Sequence, residues 1–202
     1  MADIKNVVFD FGNVLIKFSP KSMVAKYAQT QEDAELLQTV VFDRLYWDKL
    51  DSGDITDAEV VADCRRRLPD RLGDAAEQAY YNWIYNIPEI EGMRDVVISL
   101  KERGIKLYLL SNISTYFAEH KDEISLLKLF DGLVLSGTIK KVKPSAAIFE
   151  HLCDTYGIKP EQSLFVDDMK ANVDGAIAVG FNAYQFDGDV ERFTEYLNTI
   201  LK

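Results

Sequence analysis

The chain has 202 residues, 48% of them hydrophobic, and a formal net charge of −10. That length suits one domain, or one core with a modest insertion, and that composition excludes wholesale disorder. The acidity, with a pI near 4.7, speaks against a nucleic-acid or anionic-membrane surface, and no apolar run approaches the ~20 residues of a membrane-spanning helix.

Met1-Ala2-Asp3-Ile4-Lys5-Asn6 has no signal-peptide pattern. A cytoplasmic protein is therefore expected, with Cys64 and Cys153 as reduced, buried thiols. The apolar run Val7-Val8-Phe9 reads as a buried strand that ends at Asp10 and turns through Phe11-Gly12-Asn13. From residue 18 to 87 the character is helical. Ser19-Pro20 and Thr30 are helix starts, the second opening a helix over 31–42. Asp51-Ser52-Gly53-Asp54 reads as a loop. Thr56-Asp57-Ala58-Glu59 is a capping box for a third helix to residue 68. A fourth helix covers 70–85, and Pro88 closes the block.

After Pro88, helices and strands alternate. Helices are predicted over 92–103, 115–127, 146–156, 171–179 and 190–201, several of them stopped by Gly104, Gly157 or Gly180. Strands are predicted over 105–110, 132–135, 163–166 and 183–186. Repeated strand–helix–strand units imply a parallel sheet with helices on both faces. The expected architecture is α/β: a Rossmann-like parallel sheet core (1–17 plus 88–202) with an inserted helical cap (18–87).

Open α/β sheets bind ligands beyond the carboxyl ends of their strands. Three predicted strands end in polar residues: Asp10, Ser111-Asn112 and Asp167-Asp168. Lys143-Pro144 lies in the loop after a fourth. Taken singly, each has a structural reading as a turn residue, a helix cap or a solvated loop. Together they make a coherent set of carboxylates, hydrogen-bond donors and one cation. His120 and His151 fall in predicted helices away from these ends and are expected to be surface residues.

On these residues the sequence resembles the haloacid dehalogenase-like hydrolase superfamily. Val7-Val8-Phe9-Asp10-Phe11-Gly12-Asn13-Val14-Leu15, Leu109-Leu110-Ser111-Asn112, Lys143-Pro144 and Phe165-Val166-Asp167-Asp168 resemble its four motifs, in order. Residues 47–56 are similar to cap segments of its small sugar-phosphatase branch. The arrangement around Gly12-Asn13-Val14 resembles bacterial glucose-1-phosphate phosphatase-like proteins. The resemblance implies a Mg²⁺-dependent phosphatase acting on a small phosphorylated metabolite through an aspartyl-phosphate on Asp10. It implies Mg²⁺ bound by Asp10, the Gly12 carbonyl and Asp168, with Asp167 orienting a metal-bound water or exchanging roles with Asp168. Lys143 would neutralise charge, and Ser111 and Asn112 would donate to phosphate near a helix N-terminus.

One departure matters. Family phosphatases usually carry a second aspartate two residues after the nucleophile, as acid and then base. Here that position is Gly12, and general acid–base help is worth about 10²–10⁴-fold. Two alternatives therefore stand beside the phosphatase: a metal-free 2-haloacid dehalogenase, and a catalytically weak phosphate-binding or regulatory protein.

Overall fold

The computed structural model describes residues 3–201. Five short strands form one sheet: β1 (Asn6–Phe9), β2 (Lys106–Ser111), β3 (Gly132–Leu135), β4 (Ser163–Asp167) and β5 (Asn182–Gln185). Their spatial order is β3-β2-β1-β4-β5, and every neighbouring pair is parallel. The chain moves outward from β1 through β2 to β3, then returns to the other side of β1 for β4 and β5. The crevice between β1 and β4 is thus the topological switch point, where such sheets bind ligands.

The apolar strands alternate faces. Val7, Phe9, Leu109 and Val166 bury against the helices α6 (Met93–Glu102), α7 (Thr115–His120) and α11 (Val190–Ile200). Val8, Leu110, Val134 and Phe165 bury against α9 (Ala146–Tyr156) and α10 (Lys170–Ala178). Both faces are covered, so the strands read as continuous apolar runs.

Between β1 and α6 lie α1 (Pro20–Ala25), α2 (Gln31–Val41), α3 (Arg44–Asp51), α4 (Asp57–Arg67) and α5 (Gly73–Tyr81). The caps read from sequence are present: Ser19, Thr30, and the reciprocal Thr56–Glu59 box. These helices have their own apolar cluster, including Val24, Leu37, Val41, Val60, Cys64, Ala76 and Tyr80. The segments that lead into and out of this block run side by side. Lys17 N donates to Pro88 O at 2.8 Å, and Ile90 N to Leu15 O at 3.0 Å.

Several local expectations differ from the structure. The helix α3 occupies a stretch that carries no clear apolar periodicity. The helix expected over 115–127 stops at His120 and continues as 3₁₀ turns, Lys121–Glu123 and Ser125–Leu129. That change of winding lets Leu126 and Leu127 both turn into the core. A further short helix, α8 (Ser136–Ile139), follows β3 directly. Cys153 is only half-buried, while Cys64 is buried as expected, and both are free thiols. His120 and His151 are half-buried, lying against Tyr116 O and Thr155 Oγ1. No helix among the described residues is long and apolar enough to cross a membrane.

Candidate active site

The register sets the site. Phe9 pairs with both Leu109 and Val166, so Asp10 and Asp167 stand at one level, with Ser111 one residue further along β2. Asp10 follows β1, Ser111 ends β2, and Asp167 ends β4. Asp10 N donates to Val166 O at 2.9 Å, which carries the ladder one residue beyond β1.

Lys143 reaches into this group from the loop after α8. Its Nζ lies 2.8 Å from Asp10 Oδ1 and 2.7 Å from Asp167 Oδ2. All three residues are buried, Lys143 at 4% exposure and Asp167 at 0%. Burial works against the ammonium, but the Asp10 and Asp167 carboxylates hold Lys143 above the usual lysine range. Burial pushes Asp10 up to about 6; Lys143 lowers it, and Asp167 raises it again. Asp168 is also raised, by burial and then by Asp167. Two carboxylates share one lysine and a third stands beside them, so the cluster is short of positive charge.

Asp167 is a positioning residue in this arrangement. Its Oδ1 accepts from Met169 N at 2.8 Å, and both of its oxygens accept from Asn172 Nδ2 at 3.0 Å. With Lys143 added, the carboxylate is fully engaged behind Asp10. Asp168 instead lines a cavity of about 340 Å³ and accepts from Asn13 Nδ2 at 3.4 Å. From sequence the roles of the two acids are exchangeable.

The Asn112 side chain has partners of its own. Its carboxamide is turned to the main chain of Lys143: Oδ1 accepts from Lys143 N at 2.8 Å, and Nδ2 donates to Lys143 O at 3.0 Å. The Asn112 side chain therefore holds the lysine loop in place. Ser111 is buried at the cavity edge. Gly12 also lines the cavity, and a Cβ there would meet only Phe18 Cβ, at 4.0 Å. The lack of a side-chain acid at Gly12 is not forced by crowding.

The opposite wall comes from the helical block. Arg44, Trp47, Asp48 and Asp51 line the cavity from α3, with Phe18 and Trp83 beside them. Spacings of three and four residues put these α3 side chains on one helix face. Trp47 stacks on Phe42 at a ring separation of 5.6 Å and meets Phe18 and Trp83 edge-on. Trp47 Nε1 and Asp51 Oδ1 are buried with no hydrogen-bond partner among the described residues. Asp48 and Asp51 carry no site role in the sequence reading, although both fall in the segment 47–56. The signal was there as a polar stripe at 44, 47, 48 and 51, hidden because the helix was not recognised. Tyr85 is exposed, and Arg65, Arg66 and Arg67 pair with acids of the block itself.

The residues fit a divalent cation. Oxygens of Asp10, Asp167 and Asp168 lie within 4.8 Å of one another, all-oxygen ligation suits Mg²⁺, and the cluster lacks positive charge. A parallel α/β sheet with acids on adjacent strand ends at its switch point, joined by a buried lysine and roofed by helices, defines a hydrolase-type site built for an anionic or polarised ligand. The chain belongs to the haloacid dehalogenase-like hydrolase family, whose model matches residues 4–180.

Among curated proteins, the chain is 27% identical to a D-ribitol-5-phosphate phosphatase of Bacteroides thetaiotaomicron, over 90% of this chain and 91% of that protein. Among solved structures, it is similar to the enzyme bt-2542 of Bacteroides thetaiotaomicron, in complex with magnesium and inorganic phosphate. The TM-score there is 0.71 at 22% identity, covering 94% of this chain and 98% of that one. It is also similar to an L-2-haloacid dehalogenase of Xanthobacter autotrophicus with chloropropionic acid covalently bound. That match has a TM-score of 0.66 at 19% identity, covering 98% and 83%. At such identities these two structures speak to the fold alone.

Proposed function

We propose that the protein is a Mg²⁺-dependent phosphatase that hydrolyses a small phosphomonoester through an aspartyl-phosphate on Asp10. The observation that carries this reading is the buried Asp10–Lys143–Asp167 array beside Asp168 at the β1/β4 switch point. Carboxylate attack on phosphorus divides the hydrolysis into two easier steps, and most of the catalytic demand falls on positioning and charge. Lys143 engages Asp10 Oδ1, leaving Oδ2 as the attacking oxygen. Asp10, the Gly12 carbonyl and Asp168 hold Mg²⁺, and Asp167 keeps Lys143 and the acidic loop in register. Bound Mg²⁺ supplies the charge that lets a phosphate dianion approach a carboxylate. Ser111 and the main chain beyond it donate to the phosphate oxygens.

The division of labour follows the two apolar clusters. Residues 1–17 plus 88–202 act as the catalytic core, and residues 18–87 act as a cap that reads the substrate. The paired connections at 15–17 and 88–90 support that division. The aromatic wall of Phe18, Trp47 and Trp83, with the exposed cation Arg44, suits a short polyol or sugar phosphate of the kind named for the 27%-identical relative. The cavity volume of about 340 Å³ matches such a ligand.

The test is phosphate release from a panel of phosphorylated polyols and sugars with Mg²⁺, with a 2-haloacid as a further arm. Wild-type protein releases phosphate, and Asp10→Asn lowers the rate on the order of 10⁴-fold or more. Halide release that persists in chelator, without phosphate release, would overturn the reading in favour of a dehalogenase.

A further inference from the structure

Expelling an alkoxide from a phosphate ester requires a proton, and the strand-edge wall has none to spare. Asp10 is the attacking group and Asp168 faces the cation site. Asp167 is walled in by Lys143, Met169 N and Asn172. Lys143 is clasped by two carboxylates, at 2.8 Å from Asp10 Oδ1 and 2.7 Å from Asp167 Oδ2, and is turned to them. Gly12 has no side chain. Two acids remain, both on α3 across the cavity. Asp48 is exposed, whereas Asp51 lines the cavity with a buried Oδ1 that no group satisfies.

We propose that Asp51 is the proton donor to the leaving oxygen and then the base that activates water, a role that rests on the phosphatase reading above. A buried carboxylate oxygen without a partner is expensive when charged and cheap when the group is protonated. Burial first, and then the neighbouring Asp48, push the Asp51 carboxyl up to about 7. Lys143 and Arg44 lower it, and Asp10 raises it further. The helix α8 packs against α3 and carries no titratable side chain; Lys140, just after it, approaches Gly53. Asp51 is also held in place. At Gly53 (φ +70), a Cβ would lie 2.7 Å from Gly137 O, so only glycine lets the end of α3 settle this closely on the core.

In the first half-reaction Asp10 forms a bond to phosphorus as the bond from phosphorus to the ester oxygen breaks. The Asp51 proton goes to that oxygen, and the alcohol departs. In the second, water attacks phosphorus and gives its proton to Asp51. The phosphorus–Asp10 bond breaks, phosphate leaves, and both acids return to their starting states.

The experiment compares an alkyl phosphate such as ribitol 5-phosphate with p-nitrophenyl phosphate, whose leaving group needs no proton. With Mg²⁺, Asp51→Asn lowers the single-turnover release of alcohol from the alkyl ester about 10²-fold or more and changes the single-turnover release of p-nitrophenol by less than about 3-fold. Steady-state turnover of both esters falls, because both pass through the same aspartyl-phosphate and the variant lacks the base for its hydrolysis. The retained p-nitrophenol burst certifies a folded site. The wild-type single-turnover rate on the alkyl ester falls as pH rises through the Asp51 ionisation, and the variant lacks that limb. Equal losses in the two single-turnover rates, or none, would overturn the role of Asp51 while leaving the phosphatase intact. A wild-type protein that releases phosphate from neither ester overturns both.

Discussion

The two walls of the cavity are built on opposite principles. At the strand edge, the charges behind Asp168 are locked to one another. Lys143 bridges Asp10 and Asp167, Asn172 and Met169 N hold Asp167, and Asn112 holds the Lys143 main chain. On the helical side, polar atoms are left unmatched: Trp47 Nε1 and Asp51 Oδ1 have no partner, and Arg44 makes no ion pair among the described residues. Locked groups suit chemistry that must be repeated on every substrate. Unmatched groups lower stability in the free protein and are satisfied when a ligand arrives. The contrast predicts that substitutions on the strand-edge wall cost stability and turnover together, whereas substitutions on the helical wall separate the two.

The largest effect on stability is expected at Lys143. Lys143→Ala leaves two buried carboxylates uncompensated and costs about 3–5 kcal/mol. Chemical denaturation in chelator measures this. The same variant lowers kcat about 10²–10³-fold, the scale for losing one fixed charge or donor at a phosphate. A variant with wild-type stability would break the picture of a locked wall.

Mg²⁺ comes next. Asp10 is raised to about 6 from an ordinary value of 3.8. The folded protein therefore binds that proton more tightly than the unfolded chain. Without metal, this contribution to stability is present at low pH and is lost as pH rises from about 4 through 6. Mg²⁺ needs the ionised carboxylate, so its stabilisation runs the other way. We expect Mg²⁺ to raise Tm by about 4 °C or more at pH 7.5, given about 2–4 °C per kcal/mol at this size, and by clearly less at pH 5. Thermal melts at the two pH values decide it. An equal shift at both would separate Asp10 from the metal.

The smallest effect sharpens the other side. Trp47→Phe keeps an aromatic ring in the stack but removes an unpaired buried N–H. Removing such a donor is neutral or stabilising by up to about 1 kcal/mol. Tm should hold or rise by about 2–4 °C, while KM for the physiological class of ester rises and kcat for p-nitrophenyl phosphate stays level. A loss of stability would show that Trp47 belongs to the packing and not to substrate reading.

Much of the fold was legible in sequence because its signals are local. Val7-Val8-Phe9 and Leu164-Phe165-Val166 are apolar runs that stop at acids, which is how a buried parallel strand meets a ligand edge. Ser19, Thr30 and Thr56 announce helices through capping chemistry that needs only a few neighbouring residues. The helix α3 escaped because its eight residues bury only Leu50, so the apolar period that reveals a helix is missing. Its ordered stripe is polar and aimed at the cavity. The Asn112 carboxamide shows the same limit: nothing local says that the main chain of Lys143, 31 residues on, claims both of its ends.

The sequence by itself determined the residue types at the carboxyl edge, with Asp10 foremost. Those depend on short runs and their order along the chain. Only the tertiary structure decided how the charges are shared. Whether Lys143 serves one acid or two, whether Asp167 or Asp168 faces the cavity, and whether Asp51 stands opposite Gly12 are matters of distance and burial between segments far apart in the chain. Burial sets the cost of an ion, and distance sets which neighbour offsets it. Neither quantity exists until the sheet has brought β1 and β4 together and α3 has settled across them.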